Sequence, residues 1–172
     1  MNIFVLDENP ITAAKYLDDV RIPKMCVESA QMMASALRRH GATDEQMPLR
    51  KDGKSRYKGG YKNHPCTLWA GDSWANFDWL VSHAIALCVE YSIRFGKEHA
   101  CLQPIAKMGA LQMQERIVPK GKRTPFAQAM PDEYKNDDAV KAYRSYYKSK
   151  EHSKGGVRYV RGDVPDWWEA IA

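Results

Sequence analysis

The chain has 172 residues, 44% of them hydrophobic, and a formal charge of +5 at pH 7. That length suits one domain that removes roughly 70% of its unfolded surface from water and folds without disulfide staples. No stretch approaches the ~20 apolar residues of a membrane span and residues 1–7 lack a charged leader region, which excludes a membrane-embedded chain and leads us to expect a cytoplasmic location.

Asn2 to Leu6 reads as a short strand or extended segment. Asn9 is a good N-cap and Pro10 suits a first helical position, predicting a short helix to about Asp18. A second helix is predicted from Pro23 to Arg39, ended by Gly41, with Met25, Ala30, Met33 and Leu37 along one stripe. Glu28 lies beside that stripe, with Lys24 one turn before it and Arg21 seven residues before it. The loop from about Ala42 to Cys66 is long for a compact domain and is expected to be functional or partly disordered. Trp74, Phe77, Val81, Ala84, Cys88, Tyr91 and Phe95 then recur at alternating steps of three and four, closed by Gly96, and predict the central core helix. Leu102 to Met113 reads as a further helix, with Pro104 suited only to its first turn. Thr124 to Pro131, bracketed by prolines, reads as an ordered loop with room for one helical turn, and Asn136 and Asp137 as caps of a helix through Ala139, Tyr143 and Tyr147. Val164 to Trp168 forms an aromatic clamp expected to dock on the core. No repeat or linker divides the chain. The expectation is one all-α domain over residues 1–172, monomeric, with four to five helices, an extended N-terminal segment and a long basic loop.

Charge is unevenly spread. Arg50, Lys51, Lys54, Arg56, Lys58 and Lys62 alternate with Tyr57 and Tyr61, and Lys141, Arg144, Lys148, Lys150, Lys154, Arg158 and Arg161 accompany Tyr143, Tyr146, Tyr147 and Tyr159. Cations neutralise phosphates and aromatic faces stack on bases, so the alternation points to nucleic acid, against a solvated lysine-rich surface with tyrosines packed inward. His64, between the basic loop and the following aromatic helix, could touch a phosphate or a sugar, or only satisfy loop carbonyls.

Cys26, Cys66, Cys88 and Cys101 show no C-x-x-C spacing and read as reduced core thiols, and the pairs His64/Cys66 and His99/Cys101 are too isolated to imply a metal. Nucleotide-binding, serine-hydrolase and zinc-protease motifs are missing, so neither metal nor cofactor is expected. An acid such as Glu28, kept near Arg21, Lys24 and a free α-amine, suits chemistry on an electron-poor carbon. The bland reading is a surface pair with Lys24 contributing a few tenths of a kcal/mol.

The spacing from Arg21 to Glu28, the Arg38-Arg39-His40 run, the helix from Trp74 to Gly96 preceded by Asn63-His64-Pro65, and Tyr143-Arg144-Ser145-Tyr146-Tyr147-Lys148 together resemble the pyrimidine-dimer DNA glycosylase family of small phage repair enzymes. The resemblance implies a helical fold, a double-stranded DNA substrate carrying a damaged or modified base, and phage origin. It also implies a reaction in which the N-terminal amine attacks sugar C1′, displaces the base, forms an imine and cuts the strand by β-elimination. An α-amine suits this because its unperturbed pKa near ~8 leaves part of it unprotonated at neutral pH. On this reading Glu28 is the catalytic acid, the amine belongs to Met1 or Asn2, and Arg21, Lys24, Arg38, Arg39, Arg56, Lys58, Lys62, His64, Arg144 and Lys148 contact DNA. The family's histidine corresponds to Arg21, two of its arginines to Val27 and Gln31, and its threonine after methionine to Asn2, too large for the usual methionine removal. A glycosylase that uses Glu28 and water survives these changes better than an imine-forming lyase, and a non-catalytic nucleic-acid binder on the same scaffold is the alternative.

Overall fold

The computed structural model describes residues 1–170. Among the described residues there are six α-helices: α1 (Pro10–Lys15), α2 (Arg21–Arg39), α3 (Pro65–Asp72), α4 (Trp74–Phe95), α5 (Leu102–Glu115) and α6 (Ala139–Lys148), with two short 3-10 turns near α6. The helical class agrees with the sequence, and the count exceeds the expected four to five by α3. That helix starts where His64 Nδ1 accepts the Cys66 N–H at 3.2 Å and Pro65 occupies its first turn. It was hidden because it is short and buried on several sides, so it carries no apolar stripe.

Helix α4 is the centre, packed on α1 and α2, with α3 against α2 and α5 against both α2 and α4. Ser73 caps it by accepting the Asn76 N–H, and Gly96 ends it in the left-handed conformation. Helix α1 stops at Lys15 rather than near Asp18, because Asp18 is spent on the next element. Its carbonyl accepts the N–H groups of Arg21 and Ile22, so α2 begins two residues before Pro23. Pro23 still sits in the first turn, where a missing N–H costs nothing.

Among the described residues there is no strand, and the expected N-terminal strand is a buried irregular segment instead. No other described segment pairs with it as a strand. The Asn2 side chain bonds the N–H groups of Ile3 and Phe4, Phe4 takes φ 35°, and its ring packs among Tyr143, Tyr146 and Tyr147. The cap of α6 is Asp138 rather than Asn136 or Asp137. Trp167 and Trp168 dock on Tyr16, Tyr147 and Tyr159 as the aromatic clamp suggested. No described helix is long and apolar enough to cross a membrane.

Candidate active site

Lys24, Glu28, Gln31, Ser35 and Arg38 follow one another on α2 at steps of four and three, so they share one polar face. The basic loop runs along this face. Arg38 Nε donates to the Tyr57 carbonyl at 3.0 Å, and the Ser35 hydroxyl both donates to the Gly60 carbonyl at 3.0 Å and accepts the Gly60 N–H at 2.8 Å. The loop is therefore pinned to α2 through backbone groups, which leaves several of its lysines without a structural task.

At the other end of the face the chain's first residues meet Glu28. Glu28 Oε2 accepts the backbone N–H of Asn2 at 3.0 Å and lies 3.5 Å from the α-amine of Met1. Its second oxygen lies 3.5 Å from Lys24 Nζ. The Glu28 side chain is only 12% exposed, whereas the Lys24 side chain is 70% exposed, so the lysine covers an acid that the amine and amide hold from within. Asn2 Nδ2 donates to the Ala129 carbonyl at 3.0 Å, and the Thr67 hydroxyl donates to the Met1 sulfur at 3.5 Å. Thr67 and Ala129 thus position the first two residues; their distance in sequence gave no signal of it.

His64 joins this group. Burial first, and then the positive charge of the α-amine, push its imidazole below the ordinary histidine range, with Glu28 acting the other way. It is a neutral neighbour at physiological pH; because Nδ1 accepts the Cys66 N–H, the ring carries its proton on Nε2 and can donate a hydrogen bond from there without adding charge. Cys66 is close enough to feel the same amine and acid, but burial pushes its thiol up to about 11, so it is no competing nucleophile.

The cations divide by what they touch. Arg38, Arg39, Lys58 and Lys62, with Ser35, Asn63 and Leu68, line a hollow of about 370 Å³ about two helical turns from Glu28. Arg38 and Arg39 each hold a carboxylate, Asp44 and Asp72, at 2.6 and 2.7 Å. Lys58 and Lys62 have no ion pair among the described residues. Arg56 donates to the Met47 carbonyl at 2.8 Å and braces the loop.

Arg21, Arg144 and Lys148 have structural partners instead. Arg21 bonds Asp18 and the Gly156 carbonyl, both at 3.0 Å, and lies over the Tyr147 ring. Arg144 donates to the Leu6 carbonyl, pairs with Asp7 and lies over Trp167. Lys148 donates to the Trp168 carbonyl and covers its ring. Much of the second basic tract thus fastens the C-terminal segment. Val27 is exposed, and Gln31 lies beside Gly60.

Comparison with known proteins adds one match: a family model described as pyrimidine dimer DNA glycosylase covers residues 1–103, from the N-terminal segment through α4. No curated protein and no solved structure matches the chain.

Proposed function

Because the chain belongs to the pyrimidine dimer DNA glycosylase family, we propose that it excises a damaged or modified base from duplex DNA, with Glu28 as the catalytic carboxylate and the N-terminal amine as nucleophile. One observation carries this reading. Two consecutive backbone nitrogens, those of Met1 and Asn2, lie 3.5 and 3.0 Å from the same carboxylate oxygen.

With Met1 in place, its amine is the nucleophile and the Asn2 amide orients the acid. Were Met1 removed, the Asn2 nitrogen would itself become an amine on Glu28. Either state keeps a primary amine beside a carboxylate.

In the reaction, the amine lone pair bonds to C1′ while the glycosidic electrons leave with the base, which takes up a proton. Glu28 stabilises the positive charge that develops on the sugar and accepts the proton the amine releases. Opening of the sugar ring gives the imine. Loss of a C2′ proton then expels the 3′ phosphate, and water releases the enzyme. Lys58 and Lys62 suit backbone phosphates flanking the target, while the target nucleotide leaves the stack at a cost of a few kcal/mol that is lowest at a lesion.

The test uses the full chain on irradiated duplex, on duplexes with modified bases and on duplex with an abasic site. Base release that disappears in Glu28→Gln, with a borohydride-trapped adduct whose mass maps to the N-terminal peptide, supports the proposal. Base release without an adduct would leave a glycosylase that uses water. Binding with neither reduces the chain to a nucleic-acid binder.

A further inference from the structure

Residues 26 and 28 lie about 200° apart around a helix, so α2 presents Cys26 to the core while it presents Glu28 to the site. Around Cys26 the fold gathers groups that the sequence scatters. The ligand atoms of Cys26 on α2, Cys88 on α4 and His99 in the loop before α5 all lie within 4.8 Å of one another. Both cysteines are free and fully buried, and His99 is half-buried. Cys101 adjoins them. Its N–H donates to His99 Nδ1 at 3.1 Å, and its sulfur is 3.7 Å from the Tyr57 hydroxyl.

We propose that Cys26, Cys88 and His99, with Cys101 as the fourth ligand, form a binding site for one Zn²⁺ ion that ties α2 to α4 and to the start of α5. Three sulfurs and one imidazole nitrogen are a closed donor set for a structural zinc, and thiolate-rich sets select zinc over the hard cations that oxygen ligands prefer. Tetrahedral bonds of about 2.3 Å to sulfur and 2.0–2.1 Å to nitrogen put ligand atoms about 3.5–3.8 Å apart. The ligand atoms of Cys26, Cys88 and His99, all within 4.8 Å of one another, therefore need a contraction of up to about 1 Å, and the Cys101 sulfur, which lies outside that group, must swing in to complete the set. Rotations of the three facing side chains supply the first, and movement of the loop that carries Cys101 supplies the second.

The imidazole must change partner. Whichever ring nitrogen binds the ion, the present bond from the Cys101 N–H to Nδ1 is given up, so metal binding shifts the loop between α4 and α5. Half-exposed His99 gives the ion a route that leaves the helices folded. Bound thiols release their protons to solvent, so binding strengthens as pH rises. The site stands behind the helix that carries Glu28 and takes no part in the proposed chemistry. Its test needs no DNA and is independent of the glycosylase reading.

The full chain, reduced and stripped with a chelator, is titrated with Zn²⁺ and separately with Co²⁺. The expected result is one equivalent bound per chain, a sulfur-to-cobalt charge-transfer band, and a thermal midpoint that rises with Zn²⁺ concentration. His99→Ala and Cys88→Ser should each weaken binding at least 10-fold, while Cys66→Ser, whose thiol lies outside the cluster, should not change it. A folded, reduced wild type without the charge-transfer band overturns the proposal, leaving hydrogen-bonded core thiols only. Undiminished affinity in His99→Ala or Cys88→Ser also overturns it. If Cys88→Ser does not fold, the cobalt spectrum of the wild type and the half-exposed His99→Ala variant decide.

Discussion

Asn2 and Glu28 stand 26 positions apart in sequence, and the amide of one donates to the carboxylate of the other at 3.0 Å. This bond holds the acid's orientation and leaves its charge beside the α-amine. Glu28→Gln keeps the volume and an acceptor for the amide but removes the charge. It should fold with a near-normal melting temperature and lose roughly 10²–10⁴-fold in base release, measured in single-turnover assays on the same duplex. Glu28→Ala should in addition cost about 1–3 kcal/mol in denaturant unfolding, because the buried Asn2 amide loses its partner. A Glu28→Gln enzyme with wild-type turnover would remove the carboxylate from the mechanism.

Gly59 passes close over α2 with φ +86°, and a Cβ placed there would strike the Ser35 hydroxyl and lie 2.8 Å from the Ser35 backbone nitrogen. A left-handed backbone and a rigid helix leave nowhere for a methyl group to go. Gly59→Ala should lift the basic loop from α2 and cost about 1–3 kcal/mol locally. Hydrogen exchange should report it as lost protection of the Gly60 amide with α4 unchanged.

Much of this fold was legible in the sequence where the signal was periodic or local. The stripe from Trp74 to Phe95 marked α4 because its apolar side chains recur on one face, and Glu28 drew attention through its spacing from nearby cations. Helix α3 was not legible, since Pro65–Asp72 is buried too widely to show a stripe. Residues 2–6 have strand-like composition, but a strand requires a partner, and here helices and the Asn2 side chain surround the segment. Thr67 and Ala129 help hold the first residues of the site, and nothing local in the sequence links them to it. The gathering of Cys26, Cys88 and His99 was not legible, because these residues come from three elements and only the His99/Cys101 pair is close in sequence.

Arg94, at the end of α4, is 3% exposed and fully engaged: it donates to the carbonyls of Leu17 and Lys15 at 2.8 Å and pairs with Asp19 and Glu90 at 3.2 and 3.1 Å. Asp19 in turn accepts the N–H groups of Val160 and Arg161. Arg94→Met should destabilise the chain by about 3 kcal/mol, since removing the buried guanidinium strands two partly buried acids and two backbone carbonyls. The urea midpoint should fall at unchanged slope. Arg94→Lys should recover little, because an ammonium cannot reproduce the fork of contacts.

Lys62 and Arg144 separate DNA contact from stability. Lys62 lines the hollow without an ion pair among the described residues, whereas Arg144 is tied to Leu6, Asp7 and Trp167. Lys62→Ala should weaken duplex binding uniformly across sequences and reduce the slope of log affinity against log salt by ~1, with the melting temperature unchanged. Arg144→Ala should lower the melting temperature and leave the salt slope alone. An unchanged slope in Lys62→Ala would take that lysine out of the interface.

His83 should govern part of the acid sensitivity. It is buried in α4, stacked on Trp79, and its Nδ1–H donates to the Pro10 carbonyl at 2.9 Å, linking α1 to α4. Burial pushes its pKa down to about 4, with the Pro10 bond opposing only in part. The folded value lies below the unfolded value of ~6.5, so the folded chain prefers the neutral ring. The resulting stability is fully present above about pH 6.5 and drains away as pH falls through about 4, when the ring must be charged in the core. The amount lost is on the order of 3 kcal/mol at 1.36 kcal/mol per pH unit. His83→Gln retains a donor for Pro10 and does not titrate. Its unfolding free energy, measured by urea at pH 7, 5.5 and 4, should fall less steeply than that of the wild type. Parallel slopes would show that His83 titrates alike in both states, and that other groups account for any acid lability.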